Sequence, residues 1–264
     1  MWKRLEIISE QSGLRDPVLL VSVSTANPQY RLLYSQAREL GKYLLKKLEF
    51  KQIASLYSSA MSPEIRISRS GISSMLSNNF YLHSGKSRDY LLFAGHSSPL
   101  ESEYEYGQTV LDYAQKLGVA ELISIGARWS QPVLSPTEAP KVLGFSSDEI
   151  GASKLQDAGA TIVKSESAFY FANVIVPLSK LHGIRGYKLS VDHGEPIPHP
   201  KSLIAIFDVL SRLIQLHVDT TDLVAQSKEL AEAIQKAEIE GLEVDEDGEI
   251  SGTRRAPQGE DIYR

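Results

Sequence analysis

Apolar and polar residues follow one another along this chain in blocks whose period switches between strand-like and helix-like. Pro17-Val18-Leu19-Leu20-Val21-Ser22-Val23 is a continuous apolar run, the pattern of a strand buried on both faces. Asn27 then Pro28 reads as a helix start: a capping side chain precedes a residue whose missing N–H is harmless at the first position. Leu33, Ala37, Leu40, Leu44 and Leu48 recur on one face of that helix. Ile53-Ala54-Ser55-Leu56-Tyr57 is the next strand, which makes a βαβ unit with an expected right-handed crossover. Residues 63–82 depart from the pattern. Ile65-Arg66-Ile67-Ser68 and Phe80-Tyr81-Leu82 flank turns rich in Ser, Gly and Asn, and predict a hairpin-like excursion.

The alternation resumes at Asp89-Tyr90-Leu91-Leu92-Phe93-Ala94-Gly95, a second buried strand. A helix over about 102–117 turns Val110, Leu111, Ala114 and Leu117 inward and ends at Gly118. Strands are expected at Glu121 to Ala127 and Lys141 to Phe145, and helices over 148–157, Phe169 to Leu181 and 201–216. Gly186-Tyr187-Lys188-Leu189-Ser190-Val191 is the last central strand. Strands alternating with helices predict an α/β fold of three layers, a mostly parallel sheet with helices on both faces. No internal repeat is present. Residues 1–218 are expected to form this core. A helix over 219–238, with a narrow stripe of Leu223, Leu230, Ile234 and Ala237, is expected to pack on the core or in an oligomer contact.

After that helix the composition changes. Glu238, Glu240, Glu243, Asp245, Glu246, Asp247 and Glu249 make an acidic run, followed by Ser251-Gly252-Thr253-Arg254-Arg255-Ala256-Pro257-Gln258-Gly259. Such a stretch buries too little surface to offset its ordering entropy, so 239–264 is expected to be a flexible acidic tail. Elsewhere the 42% apolar content is enough for a sizeable core. A net charge of −5 with no basic tract argues against nucleic acid or an anionic membrane as partner. The chain has no cysteine, which excludes disulfides, thiolate chemistry and cysteine-ligated zinc. The start, Met1-Trp2-Lys3-Arg4-Leu5-Glu6-Ile7-Ile8, is too charged and too short for a signal peptide, and no run has the length of a membrane span. A soluble cytoplasmic protein without cofactor or metal is expected.

A polar tail has no use for a hydrophobe and a tyrosine at its end unless another molecule takes them. Ile262-Tyr263-Arg264 supplies an aliphatic group for a small pocket, an aromatic ring with a hydroxyl, and a terminal carboxylate that a lysine or backbone amides can capture. This ending resembles the hydrophobic–tyrosine–any-residue (HbYX) ending of proteasome-activating ATPases and other proteasome regulators. The body, over about residues 15–237, resembles the archaeal and eukaryotic proteasome assembly chaperone family. The resemblance lies in Pro17 to Val23 before a long helix, Asp89 to Gly95, Ala114-Gln115-Lys116-Leu117-Gly118-Val119-Ala120-Glu121-Leu122-Ile123, and the closing helix pair joined by Val218-Asp219-Thr220-Thr221-Asp222-Leu223. It implies a three-layer fold of the phosphorylase/hydrolase-like type and a homo-oligomer. It also implies binding to proteasome core-particle α-subunits as an ATP-independent assembly chaperone or adaptor, with or without a second chaperone subunit. The chain departs from the family pattern at Ser24-Thr25-Ala26-Asn27-Pro28, at Gly95-His96-Ser97-Ser98-Pro99 and around Ser165 to Asn173, where glycine-rich or polar turns are common. Those departures bear on any shared small-ligand pocket and leave the tail untouched.

Chemical motifs are sparse. Gly85-Lys86-Ser87 lacks the glycine that a phosphate loop needs where Phe80 stands, so it reads as a polar turn. A calcium loop aligned on Gly248 would put Arg254 where a bidentate Glu belongs, so the acidic run reads as solvated. Of the six histidines, His193 and His199 follow the last strand at a spacing that matches no standard metal site. His96 beside Ser97 and Ser98 lacks a nucleophile elbow. The competing expectation is a phosphorylase- or hydrolase-like enzyme that holds a nucleotide or sugar phosphate at strand ends near His96, Arg128, Trp129 and His193, where open α/β sheets bind ligands.

Overall fold

The computed structural model describes residues 1–23, 36–95, 98–99, 101–129, 140–168, 170–193, 200–240, 243–244 and 250–251. In chain order the elements are β1 (Lys3–Ile7), β2 (Val18–Ser22), α1 (Gln36–Lys47), β3 (Lys51–Ser58), β4 (Ile65–Ile67), β5 (Ser73–Met75), β6 (Asn78–Ser84), β7 (Asp89–Gly95), α2 (Glu103–Lys116), β8 (Glu121–Trp129), β9 (Val142–Ser146), α3 (Glu149–Asp157), β10 (Thr161–Ile162), α4 (Phe171–Leu181), β11 (Arg185–His193), α5 (Pro200–Ile214), α6 (Thr221–Glu240), β12 (Glu243–Val244) and β13 (Ile250–Ser251). The Asn27–Pro28 helix start lies outside the described residues.

Nine strands form one sheet in the order β1-β3-β6-β7-β2-β8-β11-β9-β10. Its centre, β7-β2-β8-β11, is parallel throughout. These strands read as apolar runs in the sequence because both of their faces are covered. Every residue of β2 is buried. The two faces carry separate cores. One joins α1, α3, α5 and the start of α6 through Leu40, Leu44, Leu155, Leu210 and Leu223. The other joins α2 and α4 through Tyr106, Val110, Phe171 and Ile175. The three-layer α/β expectation is borne out.

The βαβ expectation needs a correction in register. β2, α1 and β3 follow one another, but β3 does not lie beside β2. It pairs antiparallel with β1 and with β6, and the β6–β7 hairpin stands between it and β2. The excursion divides accordingly. Ile65–Ile67 pairs with Ser73–Met75 as a separate small hairpin, and Phe80-Tyr81-Leu82 belongs to the main sheet. β1 has no buried residue, and its Lys, Arg and Glu protect a sheet edge.

The amino edge of the central strands is held by charge pairs. Buried Asp89 accepts from the Arg15 backbone N–H at 2.8 Å and from its guanidinium at 3.2 Å. Glu121 accepts from the Tyr187 hydroxyl at 2.8 Å and from Lys154 at 3.0 Å, and pairs with Arg88 at 3.3 Å. Burial pushes its carboxyl up, and these three partners together hold it below the usual carboxylate range. The Gly85-Lys86 turn belongs to this edge: both of its carbonyls accept from Arg15, which fits a polar turn.

Candidate functional site

Two regions carry function-bearing features: the α6 helix that leads to the C-terminus, and the carboxyl edge of the central strands. α6 is anchored at its first turn. The Tyr43 hydroxyl of α1 donates to the Asp219 carbonyl at 2.8 Å and to the Asp222 carboxylate. Lys47 pairs with Asp222 at 3.1 Å, and the Tyr43 ring packs on Phe207 of α5 with centroids 5.4 Å apart. Burial, then the bond to Asp222, raises the Tyr43 hydroxyl far above its ordinary value. The same bond lowers the Asp222 carboxyl. Leu223 and Ser227 are buried, Leu230 is half-buried, and the other described side chains of 224–236 are at least partly exposed. The helix is therefore held at its start and runs about 30 Å in all. Replacing Leu223 by Ala is expected to loosen this anchor by about 2 kcal/mol, so tryptic cleavage after Lys228 should speed up about thirtyfold while the circular dichroism of the core stays unchanged.

Within the stretch read as tail, α6 continues to Glu240, and Glu243–Val244 pairs antiparallel with Ile250–Ser251. Ile262, Tyr263 and Arg264 lie outside the described residues, as do Asp245 to Glu249. Leu223, at the start of the stripe, is buried.

The carboxyl edge gathers the starts of α2 and α4 on one face and the first described turn of α1 on the other. α1 and α4 each lie there beside a buried serine. Ser22 Oγ donates to the Ala37 carbonyl on one face, and Ser124 Oγ to the Ala172 carbonyl on the other. α2 begins there too: Asn78 Nδ2 donates to the buried Tyr106 hydroxyl at 2.8 Å, and Asn78 stands opposite Gly95 in the β6–β7 register. β8 and β11 reach the edge in parallel, with Arg128 opposite Asp192 and Trp129 opposite His193. Two of the strand-end positions singled out from sequence, Trp129 and His193, are thus neighbours across one strand pair. His96, Ser97 and His199 lie outside the described residues. Among the described residues no group of three or more acidic, histidine or cysteine side chains could hold a metal.

One residue of this edge was not singled out from sequence. Lys188, in the middle of β11, is 4% exposed. Burial alone pushes its ammonium down to about 7. Its amine lies over Gly126 of β8, where a Cβ would stand 2.5 Å from Nζ. The available signal was the run Gly186, Lys188, Ser190 on one face of a strand whose other face is Tyr187, Leu189, Val191.

The sequence pattern of the PAC2 family matches residues 37–238. The chain belongs to the PAC2 family. Its fold is that of solved structures related at low identity. Pyrococcus furiosus PbaB, described as an archaeal proteasome activator, superposes with a TM-score of 0.73 at 19% identity, covering 89% of this chain and 98% of that one. Pyrococcus furiosus PbaA, described as an archaeal homolog of proteasome-assembly chaperone, gives 0.66 at 16% identity, with 90% and 92% covered. A Mycobacterium tuberculosis proteasome-assembly chaperone homologue gives 0.67 at 18%, with 83% and 94% covered. No protein of curated function matches the chain. The PAC2 match ends near the close of α6, so the C-terminal segment with Ile262-Tyr263-Arg264 lies beyond it. No helix among the described residues is long and apolar enough to cross a membrane.

Proposed function

We propose that this PAC2 protein is a chaperone or adaptor of the proteasome, and that it docks on core-particle α-subunits through Ile262, Tyr263 and Arg264. The observation that carries the reading is the combination of PAC2 membership with that ending. The matched region stops in the last turns of α6, whose first turn is anchored on the core, and the docking residues follow. PbaB and PbaA, whose descriptions name proteasome activation and proteasome assembly, support the partner class. A homo-oligomer belongs to the proposal. The β4–β5 hairpin exposes Ile65, Ile67, Ile72 and Met75 together, a surface that suits contact with a second copy. Several tails on one oligomer would gain roughly 10²–10⁴ in apparent affinity over one tail where their spacing lets them engage together.

The test compares full-length protein, a version lacking residues 262–264, Tyr263→Ala, and a version extended beyond Arg264, each for binding to purified archaeal proteasome core particles. The full-length protein is expected to bind. The other three should lose at least about 10²-fold in affinity, with unchanged circular dichroism. Equal binding by all four would place recognition in the body of the protein and remove the tail from the mechanism.

A further inference from the structure

Lys188 is a charge-bearing group with no use in proteasome docking, and its surroundings are unusual for a structural lysine. It is 4% exposed, and no carboxylate, hydroxyl or carbonyl among the described residues hydrogen-bonds to its amine or pairs with it. Water solvates the charge of an ordinary lysine, and a buried one is normally paired. Here only the removal of water acts on the charge.

The position of the amine follows from the strand register. Lys188 projects from the β11 face that α4 covers, the face of Gly186 and Ser190. Gly186 lies under Val176 and Ser179 of α4. Ser124, opposite Lys188 in the register, bonds the carbonyl of Ala172 in the first turn of α4. α4 therefore runs against the direction of β8 and β11, and its N-terminus points to their carboxyl edge. Gly126 lies one strand repeat nearer that edge than Ser124 and pairs with Ser190. The amine reaches over Gly126, so it stands at the level where α4 begins, with buried Ser190 next to that glycine.

That helix end is itself open. No side chain caps α4. The Asn173 and Val174 N–H groups bond back to the Tyr170 carbonyl, which leaves Phe171 and Ala172 as the amides that a helix start offers outward. Tyr170 takes φ 72° and ψ 154°, a backbone region almost reserved for glycine and costly for a tyrosine. The chain thus bears strain at the point where α4 presents its positive end, at the level along the sheet that the amine of the 4%-exposed Lys188 reaches.

We propose that Lys188 and the first turn of α4 form a binding site for a phosphate-type oxyanion, free or as the phosphoryl end of a small molecule. An ammonium point charge, a hydroxyl and two helix-start amides match a tetrahedral anion, and the anion restores the partner that Lys188 lacks. Glycine at 126 is needed because any Cβ there displaces the amine. This site is independent of the tail, and neither requires the other.

The experiment is a thermal and calorimetric titration of the full chain with inorganic phosphate in Tris chloride at fixed ionic strength. A phosphate monoester, ribose 5-phosphate, forms the second arm. Phosphate is expected to raise Tm beyond the chloride control with a Kd at or below about 1 mM. Lys188→Met and Gly126→Ala should each weaken it at least tenfold. Binding of both probes identifies a site open to phosphate esters, and binding of phosphate alone identifies a site for the free ion. In ¹³C-lysine NMR, the Lys188 titration should move upward toward the ordinary lysine range when phosphate is bound, a response that a merely structural lysine would not give. No phosphate-specific shift, or the same affinity in both variants, would overturn the proposal.

Discussion

Lys188→Met is expected to make the protein more stable at neutral pH, against the usual direction for a buried substitution. The lysine carries on the order of 5 kcal/mol of unfavourable burial, taken from about 1.36 kcal/mol per pH unit between about 7 in the folded chain and 10.5 in the unfolded one. Methionine keeps the length of the side chain and removes the charge. The expected gain at pH 7 is at least about 2 kcal/mol after imperfect repacking, measured by urea unfolding in chloride buffer free of oxyanions. The pH dependence has a definite sign. Between about 7 and 10 the unfolded chain binds a proton that the folded chain has released, so the stability of the natural protein rises with pH across that window. Below about 7 both states are protonated and the advantage of the variant is constant and largest. Above about 10 both are neutral and the advantage disappears. A variant no more stable than the natural protein at pH 7 would mean that the fold already compensates the ammonium, and the oxyanion site would lose its reason. A protein that keeps so costly a residue in the middle of a central strand is behaving as functional sites do, where local stability rules are broken.

Gly95→Ala is expected to cost about 3–5 kcal/mol and to bring the protein close to unfolding. The added Cβ would lie 2.1 Å from Asn78 Oδ1 and 2.6 Å from Asn78 Cα. The second of these is backbone of a paired strand, which cannot move without opening the β6–β7 ladder. Pushing the Asn78 side chain aside also removes the hydrogen bond to the Tyr106 hydroxyl, a fully buried group whose ring packs edge-on against Phe171 at 5.3 Å. Gly107→Ala supplies the contrast. Its Cβ would press on the Leu178 Cδ2 methyl at 2.8 Å, a side-chain end that can rotate, and would meet Phe171 Cε2 at an ordinary 3.7 Å, and alanine gains up to about 1 kcal/mol of helix propensity over glycine. The net effect there is expected within about 1 kcal/mol of zero. Comparable losses in the two variants would show that α2 and α4 are as rigid a pair as β6 and β7.

Which parts of the protein are legible in its sequence depends on how each element is covered. A strand covered on both faces must be apolar at every position, so β2 and β7 stand out as runs. A helix covered on one face must repeat with its own period, and α2 and α5 do so. Asp148 announces α3 because a helix start needs an acceptor, and it accepts from the Gly151 N–H. Exposed edge strands obey neither rule, so β1 and the two-residue β10 leave no trace. The proposed docking ending, Ile262-Tyr263-Arg264, is legible as a short peptide motif read on its own. From these local requirements the sequence by itself determined the α/β class and the alternation of strands and helices, and beside them its segments resemble the proteasome assembly chaperone family.

Strand order is different, because it depends on pairings between residues far apart in the chain. Only the tertiary structure decided that the β6–β7 hairpin separates β3 from β2, that Asn78 faces Gly95, and that Trp129 stands opposite His193. Only the fold could show what surrounds Lys188. In the sequence it alternates with Gly186 and Ser190 as any residue on a solvated face might, and a polar position on a strand normally signals water. α4 covers that face and removes the water, so the same lysine becomes a buried, unpaired charge at the start of a helix. Local sequence sets what a residue can do, and burial, which long-range packing creates, sets what its charge costs.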